Sequence, residues 1–111
     1  MEIKVEKKGD VAILHCSGSL DADTVALFKK RTNELYDGGM TKFVLETIKL
    51  SFIDSMGLGA MISLLRRVRE KSGDVKILGL SREVNEIFEI TRLNKLFDVC
   101  KDVDDACKKF D

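Results

Sequence analysis

The run Val11-Ala12-Ile13-Leu14-His15-Cys16 is almost uninterruptedly apolar, and it narrows the folds open to this chain more than any other segment. A strand wetted on one face alternates apolar and polar side chains. A strand apolar on both sides has to lie inside a sheet that is covered on both faces. Upstream, Ile3 and Val5 alternate with charged residues, as in a half-exposed strand, and Gly9-Asp10 supplies a turn, so the first two strands form a hairpin. Gly18 ends the second strand.

Downstream the period changes. Asp21-Ala22-Asp23-Thr24 offers helix-capping side chains, and Val25, Phe28, Thr32 and Leu35 follow at helical spacing until Gly38-Gly39. Phe43-Val44-Leu45 reads as a buried strand, and Phe52-Ile53 leads into Asp54-Ser55. Leu58, Met61, Ile62, Leu65 and Val68 then form an apolar helical stripe that ends near Gly73. Val75-Lys76-Ile77-Leu78 reads as a strand, and Ser81 caps a short helix carrying Val84, Ile87 and Phe88. Leu96-Phe97-Asp98-Val99 reads as an edge strand. Asp102 opens a last helix with Val103, Cys107 and Phe110 inward, acids in its first turn and Lys108-Lys109 in its last. Strands alternating with helices imply an α/β layer fold.

At 111 residues, with no proline and no Ser/Gly-rich stretch, residues 1–111 are expected to form one domain. A chain that is 44% hydrophobic and 34% charged is too apolar to stay disordered. Nineteen basic residues balance nineteen acidic ones, so no global field draws the chain to nucleic acid or to anionic membrane. Arg66, Arg67 and Arg69 could build a local basic patch, and they read first as a solvated helix face. Cys16, Cys100 and Cys107 match neither an even disulfide set nor a metal spacing, which makes Cys16 a core residue and the reducing cytoplasm the expected compartment. The start of the chain carries no apolar signal core, and no apolar run approaches the length of a membrane span. A monomer is expected.

Chemistry concentrates in Phe52-Ile53-Asp54-Ser55-Met56-Gly57-Leu58-Gly59, where a buried strand turns into a long helix. A helix N-terminus presents unpaired N–H groups and the positive end of the macrodipole, so a phosphate on Ser55 is expected to find donors there. Asp54 and Ser55 are also both good N-caps, and one of them satisfies the helix start. A serine hydrolase would need a base and a G-x-S-x-G elbow, but Ile53 stands at the first glycine position and the one histidine, His15, lies within a strand. Gly57-Leu58-Gly59 begins a dinucleotide-type pattern, yet Ile62 occupies the third glycine position. Gly57 and Gly59 read instead as sites of close backbone approach. No cofactor, metal or catalytic set is expected, and the chain reads as a switch.

Gly18-Ser19-Leu20-Asp21-Ala22-Asp23-Thr24 taken together with Phe52-Ile53-Asp54-Ser55-Met56-Gly57-Leu58-Gly59 resembles the anti-sigma factor antagonists of the STAS domain family, over essentially the whole chain. The resemblance implies a mixed sheet of four or five strands, with about four helices packed mainly on one face. It implies an anti-sigma factor antagonist that, when unphosphorylated, binds an anti-sigma factor serine kinase and frees the sigma factor. The kinase would phosphorylate Ser55, and a PP2C-type phosphatase would restore it. Partner binding would fall to Leu20, Asp21, Asp23, Thr24, Asp54, Ser55, Met56, Gly57, Leu58 and Gly59. An alternative within the same family is a docking subunit of another signalling or lipid-transport complex, without sigma-factor control.

Three positions depart from the family pattern. Met56 stands where many members carry a second hydroxyl, leaving Ser55 alone in the signature. Glu46 stands where members often have Asp or Asn. Thr47-Ile48-Lys49 is expected to alter the loop after that strand.

Overall fold

The computed structural model describes residues 1–110. Five strands lie side by side in sequence order: β1 (Glu2–Lys8), β2 (Val11–Leu20), β3 (Lys42–Ile53), β4 (Asp74–Leu78) and β5 (Asp98–Cys100). β1 pairs antiparallel with β2 through the expected hairpin, and the other pairings are parallel. The helices are α1 (Val25–Asp37), α2 (Ser55–Arg69), α3 (Arg82–Thr91), α4 (Leu93–Leu96) and α5 (Val103–Lys109). The fifth, beyond the expected four, is the single turn of α4.

β2 occupies the interior position that its apolar run requires. Ala12, Leu14 and Cys16 join a core with Phe28 of α1, Met61 and Leu65 of α2, Val84 and Phe88 of α3 and Leu93 of α4. Val11 and Ile13 face the other way and meet Val44, Leu78, Cys100 and Ala106 of α5. Four helices therefore cover one face and α5 covers part of the other. Ala106, rather than Val103, Cys107 or Phe110, is the fully buried residue of α5; those three pack half-buried around it. Cys16 is a core thiol, its pKa pushed up to about 12 chiefly by burial.

Two readings from the sequence are corrected. Thr47-Ile48-Lys49 makes no loop: β3 runs unbroken for twelve residues. Its register against β2 slips between His15↔Glu46 and Ser17↔Lys49, and again between Gly18↔Leu50 and Ser19↔Phe52. Each slip places one extra residue on β3 and reverses which face the next side chain meets. Leu50 and Ile53 are thus both buried on the helix side with Phe43 and Leu45, despite the broken alternation. The second correction concerns residues 96–99. Leu93–Leu96 turns as α4, because Arg92 adopts a left-handed conformation (φ 61°) between α3 and α4, and β5 begins only at Asp98.

At the amino end of β4 a charged cluster locks the sheet. Lys76, only 5% exposed, places Nζ 2.9 Å from Asp74 and 3.2 Å from Asp98, and 5.0 Å from the centre of the Phe110 ring. Arg69 at the end of α2 binds Asp74 (3.1 Å) and the Leu96 carbonyl (3.0 Å). Burial pushes the Asp74 carboxyl up, but Lys76, the Val75 N–H and Arg69 together hold it below the ordinary 3.8. Burial likewise opposes the charge on Lys76, and its two carboxylates outweigh it, raising the ammonium above 10.5. A depressed carboxylate stabilises the fold above its unfolded pKa and ceases to do so as pH falls through its folded value. Asp74→Asn is therefore expected to lower stability near neutrality, with the gap to wild type constant down to about pH 5 and closing as pH falls from there to below 3.8. Urea titrations of both proteins across that range check it; a gap independent of pH would mean that Asp74 acts through packing alone.

Candidate functional site

β2 and β3 are parallel neighbours, so the turns leaving their carboxyl ends emerge side by side, with Leu20 opposite Ile53 at the last paired position. One turn enters α1 and the other enters α2. Asp54 joins them. Its N–H donates to the Leu20 carbonyl (3.2 Å), its Oδ1 accepts from the Gly57 N–H (3.0 Å) and its Oδ2 accepts from the Ala22 N–H (3.0 Å). One carboxylate thus caps α2 and fastens the adjacent turn. Of the two possible caps, Asp54 fills the role. The Gly57 N–H is the main cause of its lowered pKa; the Ala22 and Met56 N–H groups add to it, against partial desolvation.

Ser55 is the first residue of α2. Its side chain is exposed, and its hydroxyl makes no hydrogen bond to any described residue. Of the N–H groups at the helix start, that of Gly57 is bound to the Asp54 carboxylate and that of Leu58 makes the first intrahelical bond, to the Asp54 carbonyl (2.9 Å), which leaves the N–H groups of Ser55 and Met56 as the donors beside the hydroxyl. Met56, at 51% exposure, follows Ser55, and Phe52, at 48%, precedes the turn. Sequence reasoning assigned Phe52 to the strand leading into the site and missed its exposure. The second slip of β3 turns Phe52 outward while Ile53 goes in.

The β2–α1 turn is stiffened from within. Asp21 Oδ1 accepts from the N–H groups of Asp23 (3.0 Å) and Thr24 (3.2 Å). Thr24 Oγ1 accepts from the Asp21 N–H (2.9 Å) and donates to the Ser19 carbonyl (2.8 Å). The Thr24 hydroxyl is therefore occupied inside the turn, while Ala22 and Asp23 are exposed.

The ten site residues expected from the sequence separate by exposure. Asp23, Ser55, Met56 and Gly59 face outward, and Asp21, Thr24, Asp54 and Leu58 are partly exposed. Leu20 is corrected to a core residue, 1% exposed, and Gly57 is buried beneath the turn. A Cβ on Gly57 would lie 2.5 Å from the Leu20 carbonyl oxygen and 2.9 Å from Ile53 Cγ1, so close approach of the two turns demands glycine there. Gly59 has open space around it, which removes the close-approach reading at that position. His15 pairs with Glu6 (3.0 Å) in the middle of β2 and makes no hydrogen bond to Ser55.

The STAS domain model matches residues 2–106. The anti-sigma-B factor antagonist of Staphylococcus aureus is 29% identical over 82 residues, covering 74% of this chain and 76% of that one. A candidate anti-sigma factor antagonist from Thermotoga maritima superposes with a TM-score of 0.91 at 21% identity, over 97% of this chain and 93% of that one. The Bacillus cell fate determinant SpoIIAA, in its phosphorylated form, gives 0.76 at 19% identity, over 99% and 100% of the two chains. At these identities the two structures speak for the fold.

The two glycines of the turn should respond oppositely to alanine. In a helix interior alanine gains about 1 kcal/mol over glycine, but overpacking against fixed backbone costs about 1–3 kcal/mol. Gly57→Ala is expected to lower the urea midpoint and Gly59→Ala to raise it or leave it unchanged. A stabilised Gly57→Ala protein would show that the β2–α1 turn yields freely.

Proposed function

The chain belongs to the STAS domain family, and from that membership we propose that it is an anti-sigma factor antagonist working as a phosphorylation-controlled partner switch. The unphosphorylated protein binds an anti-sigma factor that is itself a serine kinase, and so releases the sigma factor. The kinase phosphorylates Ser55, which ends binding, and a PP2C-type phosphatase resets the protein. The free form is a cytoplasmic monomer that contributes a surface rather than a catalytic group. Among the described residues no helix is long and apolar enough to cross a membrane. The relative from Staphylococcus aureus is named for antagonism of an anti-sigma-B factor.

The observation that carries the proposal is the exposed, unbonded hydroxyl of Ser55 at the first position of a helix whose cap is already filled by Asp54. A phosphoryl group there adds about −1.5 to −2 charge. The Gly57 N–H is committed to the Asp54 carboxylate, so the helix start offers the phosphate only its remaining first-turn donors, Ser55 and Met56. The charge faces outward, where Asp21, Asp23 and Asp54 make the surface more negative still. At a docked interface a polar group left unpaired costs roughly 1–3 kcal/mol, and a charged one more, at least on the order of a tenfold loss of affinity. Phe52 and Met56 flank the serine as exposed apolar groups suited to anchor the partner. Asp23, Leu58 and Gly59 complete the contact surface.

Ser55→Ala and Ser55→Asp baits, exposed side by side to lysate of the native host, test the switch. Ser55→Ala is expected to retain an ATP-dependent serine kinase, to resist phosphorylation by it and to bind at wild-type strength. Ser55→Asp is expected to lose that kinase while melting within a degree or two of wild type, since the exposed side chain has no partner in the fold to lose. Equal retention by both baits would end the gating role of Ser55 and favour a docking subunit of another complex. A phosphate on Ser55→Ala would place the modified residue elsewhere.

A further inference from the structure

α1 and α2 run side by side over the helix-covered face, and between them lies a groove of about 230 Å³ lined by Lys29, Thr32, Asn33, Ala60, Ser63, Leu64 and Arg67. Small residues on α2, Ala60 and Ser63, keep it open. Its lining includes two cations and no acid. Lys29, Lys30, Arg31, Arg66 and Arg67 make no ion pair with any described residue, although the chain as a whole is neutral. The Arg67 guanidinium is held in place: it donates to Asn33 Oδ1 and stacks 4.2 Å above the Tyr36 ring, which Lys71 also approaches, at 4.7 Å. Two cations gathered on one ring with no carboxylate between them leave positive charge uncompensated at the groove wall.

We propose that the groove between α1 and α2, with Lys29 and Arg67 as its charged walls, docks an acidic segment of the protein partner. The groove is smaller than the roughly 300–1,000 Å³ of drug-sized ligand sites, and it suits one or two carboxylate side chains. A planar guanidinium fixed by stacking is pre-organised to receive a carboxylate through its remaining N–H groups. The groove also continues the surface around Ser55. Exposed Gly59 and Ser63 lead along α2 from one to the other, and at about 1.5 Å per residue Ser63 lies about 12 Å from Ser55. A partner seated over Ser55 therefore reaches the groove with an ordinary interface radius. The two ends then divide the work: the groove attracts acid on the partner whatever the state of the switch, and Ser55 decides whether the apolar end can close. The identity of the partner rests on the antagonist reading above; the chemistry of the groove does not.

Amide chemical-shift mapping of the full chain with acetyl-hexaglutamate amide as probe tests the groove directly. Shifts are expected at Lys29, Asn33, Ser63 and Arg67, weakening with salt. Lys29→Glu, an exposed change that spares the fold, and Ser63→Leu, which fills the groove without changing its charge, are both expected to weaken the peptide roughly tenfold. Absent groove shifts, or equal shifts from inorganic phosphate, would reduce the site to a general anion patch and overturn the proposal. The same two variants are then titrated with the kinase retained by the Ser55→Ala bait, and a loss of similar size is expected. If the kinase binds wild type and both variants alike, the groove assignment falls and the antagonist reading stands. If no kinase binds the wild type, the antagonist reading falls, and the peptide mapping alone decides whether the groove takes acidic segments.

Discussion

The carboxylate of Asp54 is bound at once by the Gly57 N–H of its own helix and the Ala22 N–H of the neighbouring turn. The turns at this end of the molecule depend on that pair of hydrogen bonds. It starts α2 and fixes the direction of Ser55. It also holds the Asp21–Thr24 turn against the helix end closely enough that Gly57 cannot carry a side chain. The sheet makes this possible, because parallel pairing of β2 and β3 delivers their two exit turns to the same edge. A carboxylate is better suited to the task than a hydroxyl, having two oxygens for two backbone donors on different segments. Serine at the same position would reach one of them.

The ends of the parallel strands are specialised. At their amino side, Lys76, Asp74, Asp98 and Arg69 join β4, β5, α2 and α4 through charges that are mutually satisfied around the buried Lys76. Removing one member would strand the others, which is how such clusters enforce one arrangement. At the carboxyl side the charges of Asp21 and Asp54 are held by backbone N–H groups instead of by cations, and Asp23 is exposed beside them. The first cluster rigidifies. The second leaves its negative field available to a neighbour. A rigid base and an exposed acidic turn at opposite ends of the parallel strands give a surface whose shape is fixed.

Much of this was legible in the chain. The apolar run of β2, the Gly9-Asp10 hairpin, the stripe of α2 and the Ser81 cap each follow from spacing and side-chain chemistry, and the structure places all four as expected. β3 was legible only in pieces, because its two slips interrupt the alternation of Phe43, Leu45, Leu50 and Ile53 that would have announced one long strand. For the same reason the exposure of Phe52 could not be read. Arg92 hid α4, since a left-handed arginine leaves no signal in the sequence comparable to that of a glycine. At the site, Asp54 and Ser55 were equally plausible caps on residue preference alone. What separates them is the Ala22 N–H, a contact across 32 positions of sequence.

That contact also bears on how a phosphate at Ser55 would be read. The Gly57 N–H is held by the Asp54 carboxylate and the Leu58 N–H closes the first intrahelical bond to the Asp54 carbonyl, so a phosphoryl group could turn to the Ser55 and Met56 N–H groups but would have to displace a resident anion to reach Gly57. Two like charges would share that helix end, and the resident one is also tied to Ala22. On the partner-switch proposal, the added charge would then act on a turn that Asp54 already holds in one shape.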